Sequence, residues 1–252
     1  MKVTLINKPY AMLELMYVAA RTCYSAKAPS EMWGEILDDT IKEDYHAPEK
    51  FLDKVLSSGH TSIAEHINFT FAIDGISRAC SHQLVRHRHC TFSQQSQRYV
   101  EIKESQSELY DLVHGFPTDE KIAKMKELAS KYFVDSDDGN YYGYVHCLWQ
   151  YTSRIECGEK PEDARSILPN AMKTNLVMTC NLRELMHICN LRLCTRAQKE
   201  IRELVKRMKD ELVEVEPFLD KYLQPKCEQL GFCTEHQCCG RKPKLDTIQV
   251  KG

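Results

Sequence analysis

Apolar and polar residues alternate in three parts of this chain, and each alternation predicts a β-strand. Residues 2–6 alternate well enough for a short strand. Residues 67–73 alternate at period two, which is typical of a half-buried strand, and Asp74-Gly75 is expected to end it. Residues 171–180 alternate more loosely and predict a further strand. The predicted sheet is therefore small, and most of its strands are expected to be antiparallel.

Apolar residues at helical spacing fill most of the remaining chain. Predicted helices cover, in chain order, residues 9–24, 48–58 with a stop at Gly59, 76–84, two parts of 105–158 separated at 135–140, 161–165, 182 to about 207, and 217–223. Residues 60–66 are expected to form a polar loop. We interpret 105–158 as a helical hairpin or a bent long helix that forms an arm or a packing layer. The pattern predicts the α/β (α+β) class, with one domain over residues 1–225 and a cysteine-rich tail over residues 226–252.

The segment from Arg86 to Tyr99 concentrates positive charge. Three arginines and two histidines occur in these fourteen residues, without any Asp or Glu. Such a cluster repels itself unless an anion lies within it, and the guanidinium fork suits phosphate, carboxylate or a planar imide. Ser, Thr and Gln fill the positions between the charges. The segment therefore indicates a pocket for an anionic, ring-bearing small molecule; the alternative is a solvated basic loop, although such loops are usually rich in lysine.

A helix predicted through residues 182–201 is apolar on all sides, which is typical of a buried helix. It carries four basic side chains: Arg183, His187, Arg192 and Arg196. At about 100° per residue, the first two share one face and the last two share nearly the opposite face. Buried guanidinium groups need partners. These are either internal ion pairs with Glu184 or Glu200, or ligands bound on both faces of the helix between subunits, which predicts an oligomer.

The overall composition narrows the class of protein. The chain has 34 Lys and Arg against 36 Asp and Glu, whereas general nucleic-acid or membrane binders are usually basic. No apolar run approaches the length of a membrane span, and the first residues are too short for a signal peptide. Glycine-rich phosphate loops, H-E-x-x-H and G-x-S-x-G are absent from the sequence. We therefore expect a cytoplasmic enzyme that holds any dinucleotide with cationic side chains.

The twelve cysteines are not expected to form a disulfide scaffold in a chain of this length. Seven lie in or beside apolar or mixed segments, and most are expected to be buried and reduced: Cys23, Cys80, Cys90, Cys147, Cys180, Cys189 and Cys194. The tail groups five potential metal ligands: Cys227, Cys233, His236, Cys238 and Cys239. Their first gap is wider than usual zinc spacing, so no metal site is predicted. A tail that docks on the surface and a redox-sensitive thiol cluster remain alternatives.

No side-chain nucleophile is convincing in the cationic segment. Cys90 could be activated by its cationic neighbours, but it is better explained as a buried space-filling residue. Ser96 is flanked by glutamines and lacks an evident base, so we expect it to form hydrogen bonds instead.

Arg86-His87-Arg88 followed by Ser96-x-Arg98 resembles the R-H-R-x7-S-x-R signature of the flavin-dependent thymidylate synthases. Further blocks of the family occur in order within residues 1–225: Gly59-His60-Thr61-Ser62, Glu65-His66, Ala164-Arg165, Leu168-Pro169, Asn181-Leu182-Arg183 and Asn190-Leu191-Arg192. The resemblance implies a homotetramer that binds FAD and dUMP between subunits. It also implies reductive methylation of dUMP to dTMP, with methylenetetrahydrofolate as carbon donor and NADPH as reductant.

The resemblance also implies roles for individual residues. Positions that match flavin contacts are Ser62, Arg86, His87, Arg88, Gln94, Asn181, Arg183 and His187. Positions that match nucleotide contacts are Gln83, Arg86, Gln94, Gln95, Ser96, Gln97, Arg98, Arg165 and Arg192. Arg192 matches the catalytic residue that favours ionisation of the uracil imide. Two positions depart from the pattern, since Gln94 replaces the Glu of some members and Arg196 replaces their His.

Two hypotheses from other classes remain open at this point. The segment 86–98 could contact phosphates in a nucleic-acid-binding module, in which case binding would weaken steeply with salt. Alternatively, the cysteines from Cys227 to Cys239 could centre a metal-linked interaction protein.

Overall fold

The computed structural model describes residues 1–39, 47–134 and 139–247. Its strands are β1 (Lys2–Asn7), β2 (Asn68–Ser77), β3 (Cys90–Gln94) and β4 (Lys173–Asn181). Its helices are α1 (Met12–Thr22), α2 (Pro29–Asp39), α3 (Ala47–Ser57), α4 (Arg78–Leu84), α5 (Gln106–His114), α6 (Asp119–Tyr132), α7 (Tyr141–Glu156), α8 (Pro161–Ala164), α9 (Leu182–Arg192), α10 (Lys199–Val215) and α11 (Lys226–Leu230). Short 3₁₀ helices span Thr61–His66, Arg165–Ile167, Pro217–Tyr222 and Leu245–Thr247. Among these elements, no helix combines the length and the apolarity needed to cross a bilayer.

The four described strands form one sheet in the order β1-β2-β4-β3. The predicted α+β class with a small antiparallel sheet is confirmed. Alternate residues of the central strand β2 are fully buried, among them Phe69, Phe71 and Ile73. The strands β2 and β4 are also joined by a 2.9 Å hydrogen bond between the hydroxyl groups of Thr70 and Thr179. This central pair corresponds to the strong alternation predicted at residues 67–73 and the looser one at residues 171–180.

The chain divides into two compact units that are interleaved along the sequence. The first unit contains residues 1–2, 73–86 and 93–176, and the second contains residues 3–72, 87–92 and 177–252. Each boundary falls within a strand or within the cationic segment. The separation of a tail at residue 225 stays a prediction.

Strand β2 does not end at Asp74-Gly75, as the sequence pattern predicted, but continues to Ser77. Gly75 has a φ of 70°, a conformation that costs glycine little, and its N–H donates to Asn175 Oδ1 at 2.9 Å. The glycine therefore bends the strand without ending it. Ser77 then caps α4, because its side-chain oxygen accepts a 2.9 Å hydrogen bond from the N–H of Cys80.

Residues 105–158 form three helices in the first unit, whereas the sequence predicted two. The predicted hairpin is present, since α6 ends at Tyr132, α7 begins at Tyr141 and the two helices pack against each other, but α5 is a separate helix before them. Ser105 caps α5 and Thr118 caps α6, each by accepting a hydrogen bond from a backbone N–H three residues later. The predicted break at 135–140 lies partly outside the described residues. The helices share a buried cluster of Leu109, Leu112, Val113, Met125, Leu128, Phe133, Val145, Leu148 and Met172. They are a packing layer and not an extended arm.

The single helix predicted through residues 182–201 is also wrong. Helix α9 ends at Arg192, and α10 begins at Lys199. Arg196 therefore lies in the connection between the helices, and it does not share a helix face with Arg192. Three other elements, α2, β3 and α11, have no counterpart in the predicted set.

Candidate active site

In the first unit, strand β4 fixes the glutamines of the cationic segment. Gln94 Nε2 donates to Ser81 Oγ at 3.0 Å and to Thr174 Oγ1 at 3.2 Å. The N–H of Gln95 donates to the carbonyl of Asn175 at 2.9 Å, and Asn175 Nδ2 donates to Gln95 Oε1 at 3.2 Å. These contacts fix the orientation of both glutamines. The polar atoms of their amides can therefore form hydrogen bonds with a ligand in defined directions.

Two cavities open beside these glutamines, and Gln97 borders both. The larger has a volume of about 580 Å³ and is also lined by Gln95 and Ser96. The smaller has a volume of about 310 Å³ and is also lined by Arg78 and Arg165. These two cavities belong to the first unit alone.

The smaller cavity is strongly cationic. Its lining contains Arg78, His82 and Arg165 but no Asp or Glu. Arg78 Nη2 donates to Gln97 Oε1 at 2.9 Å, while Arg165 Nε donates to the carbonyl of Glu162 at 3.0 Å. Burial, and then the charge of Arg165, lower the pKa of Arg78. Two guanidinium groups that repel each other in a cavity without a carboxylate favour an anionic ligand.

The end of the signature lies at the surface of the first unit. Ser96 Oγ accepts a 3.2 Å hydrogen bond from the N–H of Arg98, as expected of a hydrogen-bonding rather than nucleophilic serine. Arg98 Nε pairs with Glu162 Oε2 at 2.7 Å, and the arginine is half exposed. Gln83 is half-buried in α4 and Arg86 is exposed just after it. Within the described chain, no carboxylate forms an ion pair with Arg86.

In the second unit, His87 is buried beside α9, with 5% of its surface exposed. Arg192 Nε donates to His87 Nε2 at 3.1 Å. The other ring nitrogen, Nδ1, lies 3.4 Å from Glu184 Oε1. Burial, followed by the charges of Arg192 and His187, lowers the pKa of His87 to about 4. The imidazole is therefore neutral near pH 7, and its acceptor nitrogen faces Arg192.

Acid should destabilise this protein through His87. Its folded-state pKa lies below the ordinary value of 6.5, so the unfolded chain binds a proton first as the pH falls. The contribution of His87 to the free energy of unfolding is then complete above pH 6.5, and it decreases towards pH 4 by about 1.4 kcal/mol per pH unit. Between pH 6.5 and 5.0, His87→Gln should lose about 2 kcal/mol less unfolding free energy than the wild type. Urea unfolding at both pH values measures the difference, with the exposed-histidine variant His236→Gln as control. An equal loss in wild type and His87→Gln would contradict this prediction.

The remaining predicted residues of the second unit surround the start of α9. Asn181 caps this helix, since its Oδ1 accepts a 2.8 Å hydrogen bond from the N–H of Glu184. Arg183 pairs with Glu65, and the side chains are 52% and 48% exposed. Ser62 is exposed in the 3₁₀ helix Thr61–His66, and Arg88 is exposed without a carboxylate partner among the described residues.

The expectation that the arginines of this region are buried is wrong. Arg183 and Arg196 are exposed, His187 is exposed, and Arg192 is half-buried. Arg196 Nε lies 3.7 Å from Glu235 Oε2, and its Nη1 donates to Gln237 at 2.8 Å. The alternative of internal ion pairs therefore holds for Arg183 and Arg196, with carboxylates that the sequence argument had not named. The buried titratable group of this site is instead His87.

The cysteine-rich tail packs near Arg196 within the second unit. A cavity of about 330 Å³ is lined by Arg192, Arg196 and tail residues that include Cys227, Cys233 and Cys239. A hydrogen bond with Thr195 contributes most to lowering the pKa of Cys239. In the described part of the chain, no three His, Cys, Asp or Glu side chains are arranged to hold a metal ion.

Outside the tail, three of the seven cysteines that were expected to be mostly buried are buried: Cys80, Cys180 and Cys189. Cys90, Cys147 and Cys194 are partly exposed, and Cys23 is exposed.

The predicted residues divide between the two units. Of the flavin set, the second unit contains Ser62, His87, Arg88, Asn181, Arg183 and His187, and the first contains Arg86 and Gln94. Of the nucleotide set, the first unit contains Gln83, Arg86, Gln94 to Arg98 and Arg165, and the second contains Arg192.

Some contacts of polar residues in the two regions were not predicted from the sequence. Glu65 and Glu162 pair with arginines, and no local pattern pointed to these distant partners. The sequence could have indicated Arg78, because a cation in the first turn of a helix interacts unfavourably with the helix dipole. A ligand-binding role would account for a cation at such a position. Glu184 was considered as an ion-pair partner, but its contact with His87 was not foreseen.

Comparison with known proteins decides the family. A family model described as thymidylate synthase complementing protein matches residues 4–218. The flavin-dependent thymidylate synthase of Pyrococcus abyssi is 39% identical over 240 residues, which are 94% of this chain and 90% of that protein. The chain belongs to the flavin-dependent thymidylate synthase family. The Nitratidesulfovibrio vulgaris member is 40% identical over 233 residues, covering 92% of this chain and 91% of the relative.

Two solved structures share the fold of this chain. The Helicobacter pylori enzyme complexed with FAD and dUMP has a TM-score of 0.67 and 23% identity, and the match covers 89% of this chain and all of that chain. A UMP/dUMP methylase from Streptomyces cacaoi, bound with 5-Br dUMP, has a TM-score of 0.62 and 22% identity, with 88% and 93% covered. The resemblance first indicated by the R-H-R-x7-S-x-R signature is therefore confirmed at the level of the family.

Proposed function

We propose that this protein is a methyltransferase that converts dUMP to dTMP, with FAD as cofactor, methylenetetrahydrofolate as carbon donor and NADPH as reductant. The identity of 39% to a flavin-dependent thymidylate synthase over 94% of the chain carries this proposal. The cationic cavity without Asp or Glu supports it, because dUMP brings a phosphate.

The donor set of the second unit fits an anionic dinucleotide. Arg88 is exposed without a carboxylate partner in the described chain. Arg183 pairs with Glu65 at the surface, and an anionic ligand could replace this carboxylate. FAD would be held by Ser62, Arg86, His87, Arg88, Gln94, Asn181, Arg183 and His187. When bound, the flavin supplies the redox chemistry of the methylation. The side chains bind and orient it, and none of them needs to act as a nucleophile.

The residues of the first unit fit dUMP. The nucleotide would be held by Gln83, Arg86, Gln94, Gln95, Ser96, Gln97, Arg98 and Arg165, together with Arg192. Arg165 and Arg78 offer their charges to the phosphate from the smaller cavity. The amides of Gln95 and Gln97 offer hydrogen bonds whose directions the neighbouring contacts define.

Arg192 is the proposed catalytic residue. A guanidinium directed at the uracil imide stabilises the negative charge that forms when the ring is ionised. Its Nε is already bonded to the neutral His87, so the group is oriented before the nucleotide arrives.

We further propose a cytoplasmic homotetramer whose catalytic domain spans residues 1–225, with the cysteine-rich tail following it. The exposed Leu191 and Val177, which are 45% and 39% accessible, leave apolar surface for association. The docking of Arg196 on Glu235 and Gln237 supports a structural role for the tail, without a metal.

The absorbance spectrum of the purified protein tests the function. We expect a flavin spectrum, bleaching by NADPH in the presence of dUMP, and dTMP formation after methylenetetrahydrofolate is added. Binding of dUMP should saturate. A protein that reconstitutes with no flavin, or binds nucleic acid steeply with salt but ignores dUMP, would contradict the proposal.

A further inference from the structure

His87 is enclosed by two residues of a single helix. Glu184 lies in the first turn of α9, and Arg192 is its last residue. Eight residues of α-helix span about 12 Å, so neither side chain could reach the other directly without bending far along the axis. The imidazole of His87 lies between them, 3.4 Å from a Glu184 oxygen and 3.1 Å from the Nε of Arg192.

These contacts fix the tautomer of His87. Arg192 Nε can only donate, so His87 Nε2 must present its lone pair. The proton of the neutral ring is then on Nδ1, where it points at the carboxylate of Glu184. The opposite tautomer would place a lone pair against the carboxylate and an N–H against the N–H of Arg192. Both contacts would then be repulsive.

The contact with His87 also explains how the carboxylate of Glu184 can be buried. Only 8% of its surface is exposed, and a buried carboxylate is costly unless it has polar partners. His87 is likewise 5% exposed, although its position matches a flavin contact of the family. Since both of its ring nitrogens face other residues, any contact of His87 with the cofactor would fall to its backbone.

We propose that Glu184 and His87 are positioning residues for Arg192: Glu184 sets the tautomer of His87, and His87 holds the guanidinium by its Nε. This inference rests on the proposed function, because it assigns the two residues to the catalytic arginine. The contact with His87 uses Nε, so it fixes the orientation of the planar guanidinium group.

Replacing Glu184 tests the proposal in the FAD-loaded enzyme. Glu184→Ala should lower kcat roughly 100-fold, the scale of a misplaced catalytic group, while the KM for dUMP and the flavin content stay within roughly threefold. Glu184→Gln should recover most of the activity, because its amide oxygen can still accept from Nδ1. Glu203→Ala, which removes an exposed carboxylate that pairs with Arg207 on α10, is the matched control and should keep wild-type turnover.

A double-mutant cycle separates positioning from general support of the fold. Glu184→Ala should cost little further activity in an Arg192→Ala background, since both act through one group. Equal losses in the two backgrounds, or a wild-type kcat in Glu184→Ala, would overturn the proposal. If Glu184→Ala does not fold, the cycle is run with Glu184→Leu, which fills the same space but cannot accept the hydrogen bond from His87, and the same outcomes apply.

Nitrogen NMR of labelled histidine gives a readout that does not depend on turnover. The ring nitrogens of His87 should report the Nδ1–H tautomer in the wild type, and Glu184→Ala should show a smaller excess of it, because only the contact with Arg192 then favours it. The Nε2–H tautomer in the wild type would overturn the proposal even in an inactive protein. A wild type that shows the expected tautomer but forms no dTMP would instead contradict the proposed function.

Discussion

Arg192→Ala is expected to retain flavin and to lose dTMP formation by roughly 100- to 1000-fold, the cost of removing one preorganised donor to a developing anion. The guanidinium is half-buried and bonded through Nε to a neutral imidazole, so its direction is set before the substrate binds. Substrate binding should suffer less than turnover, because the arginine acts mainly on charge that develops during the reaction. Steady-state dTMP formation, with flavin content from the absorbance spectrum, measures both effects.

Two further variants make the Arg192 result specific. Arg192→Lys keeps the charge but cannot reproduce the planar fork, so it should recover only part of the activity. Arg207→Ala removes an exposed guanidinium that pairs with Glu203 on α10, and it should behave as wild type. Near-normal turnover in Arg192→Ala would remove this residue from its catalytic role.

Arg165→Ala is expected to raise the KM for dUMP by roughly 10- to 100-fold with a smaller change in kcat, as for the loss of one charge-assisted contact. The cavity that Arg165 borders also contains Arg78 and has no carboxylate in its lining. The two guanidinium groups repel each other, since Arg165 contributes to lowering the pKa of Arg78. Removing Arg165 should therefore weaken the nucleotide complex without destabilising the free protein.

The control for Arg165 is Arg154→Ala in the same unit. Arg154 Nη1 contacts Glu159 at 3.4 Å and Ser166 at 3.3 Å, and it does not line the cationic cavity. Its replacement should leave the KM for dUMP unchanged. The wild-type KM should also rise with salt, and Arg165→Ala should show a shallower rise. An unchanged KM in Arg165→Ala would exclude this cavity as the phosphate site.

The central sheet was predictable because its signal is local. Residues 67–73 alternate between buried and exposed positions, and a period-two pattern of apolar residues records that directly. Strand β3 gave no such signal, because the half-buried positions in Cys90–Gln94 include a glutamine and the exposed ones include Thr91 and Ser93. Helix α9 was extended too far, since Leu193 and Ala197 continue its apolar spacing across the actual break.

The family was predictable from the motif residues, but the electrostatics of the candidate site were not. The R-H-R-x7-S-x-R motif led to the right family, yet the arginines expected to be buried are at the surface. Their exposure depends on carboxylates that are remote in sequence, as with Arg183 and Glu65, which are 118 residues apart. The contact of His87 with Arg192 spans 105 residues. Such pairings arise only when the strands and α9 are assembled, so no local pattern encodes them.

The surface ion pairs of Arg98 and Arg183 have a consequence for ligand binding. Each guanidinium rests on a half-exposed carboxylate, and pairs of this kind are worth about 1 kcal/mol or less. If Arg98 and Arg183 contact ligands as proposed, each would exchange one weakly held carboxylate for the anion of the ligand, so neither ion pair should oppose binding strongly.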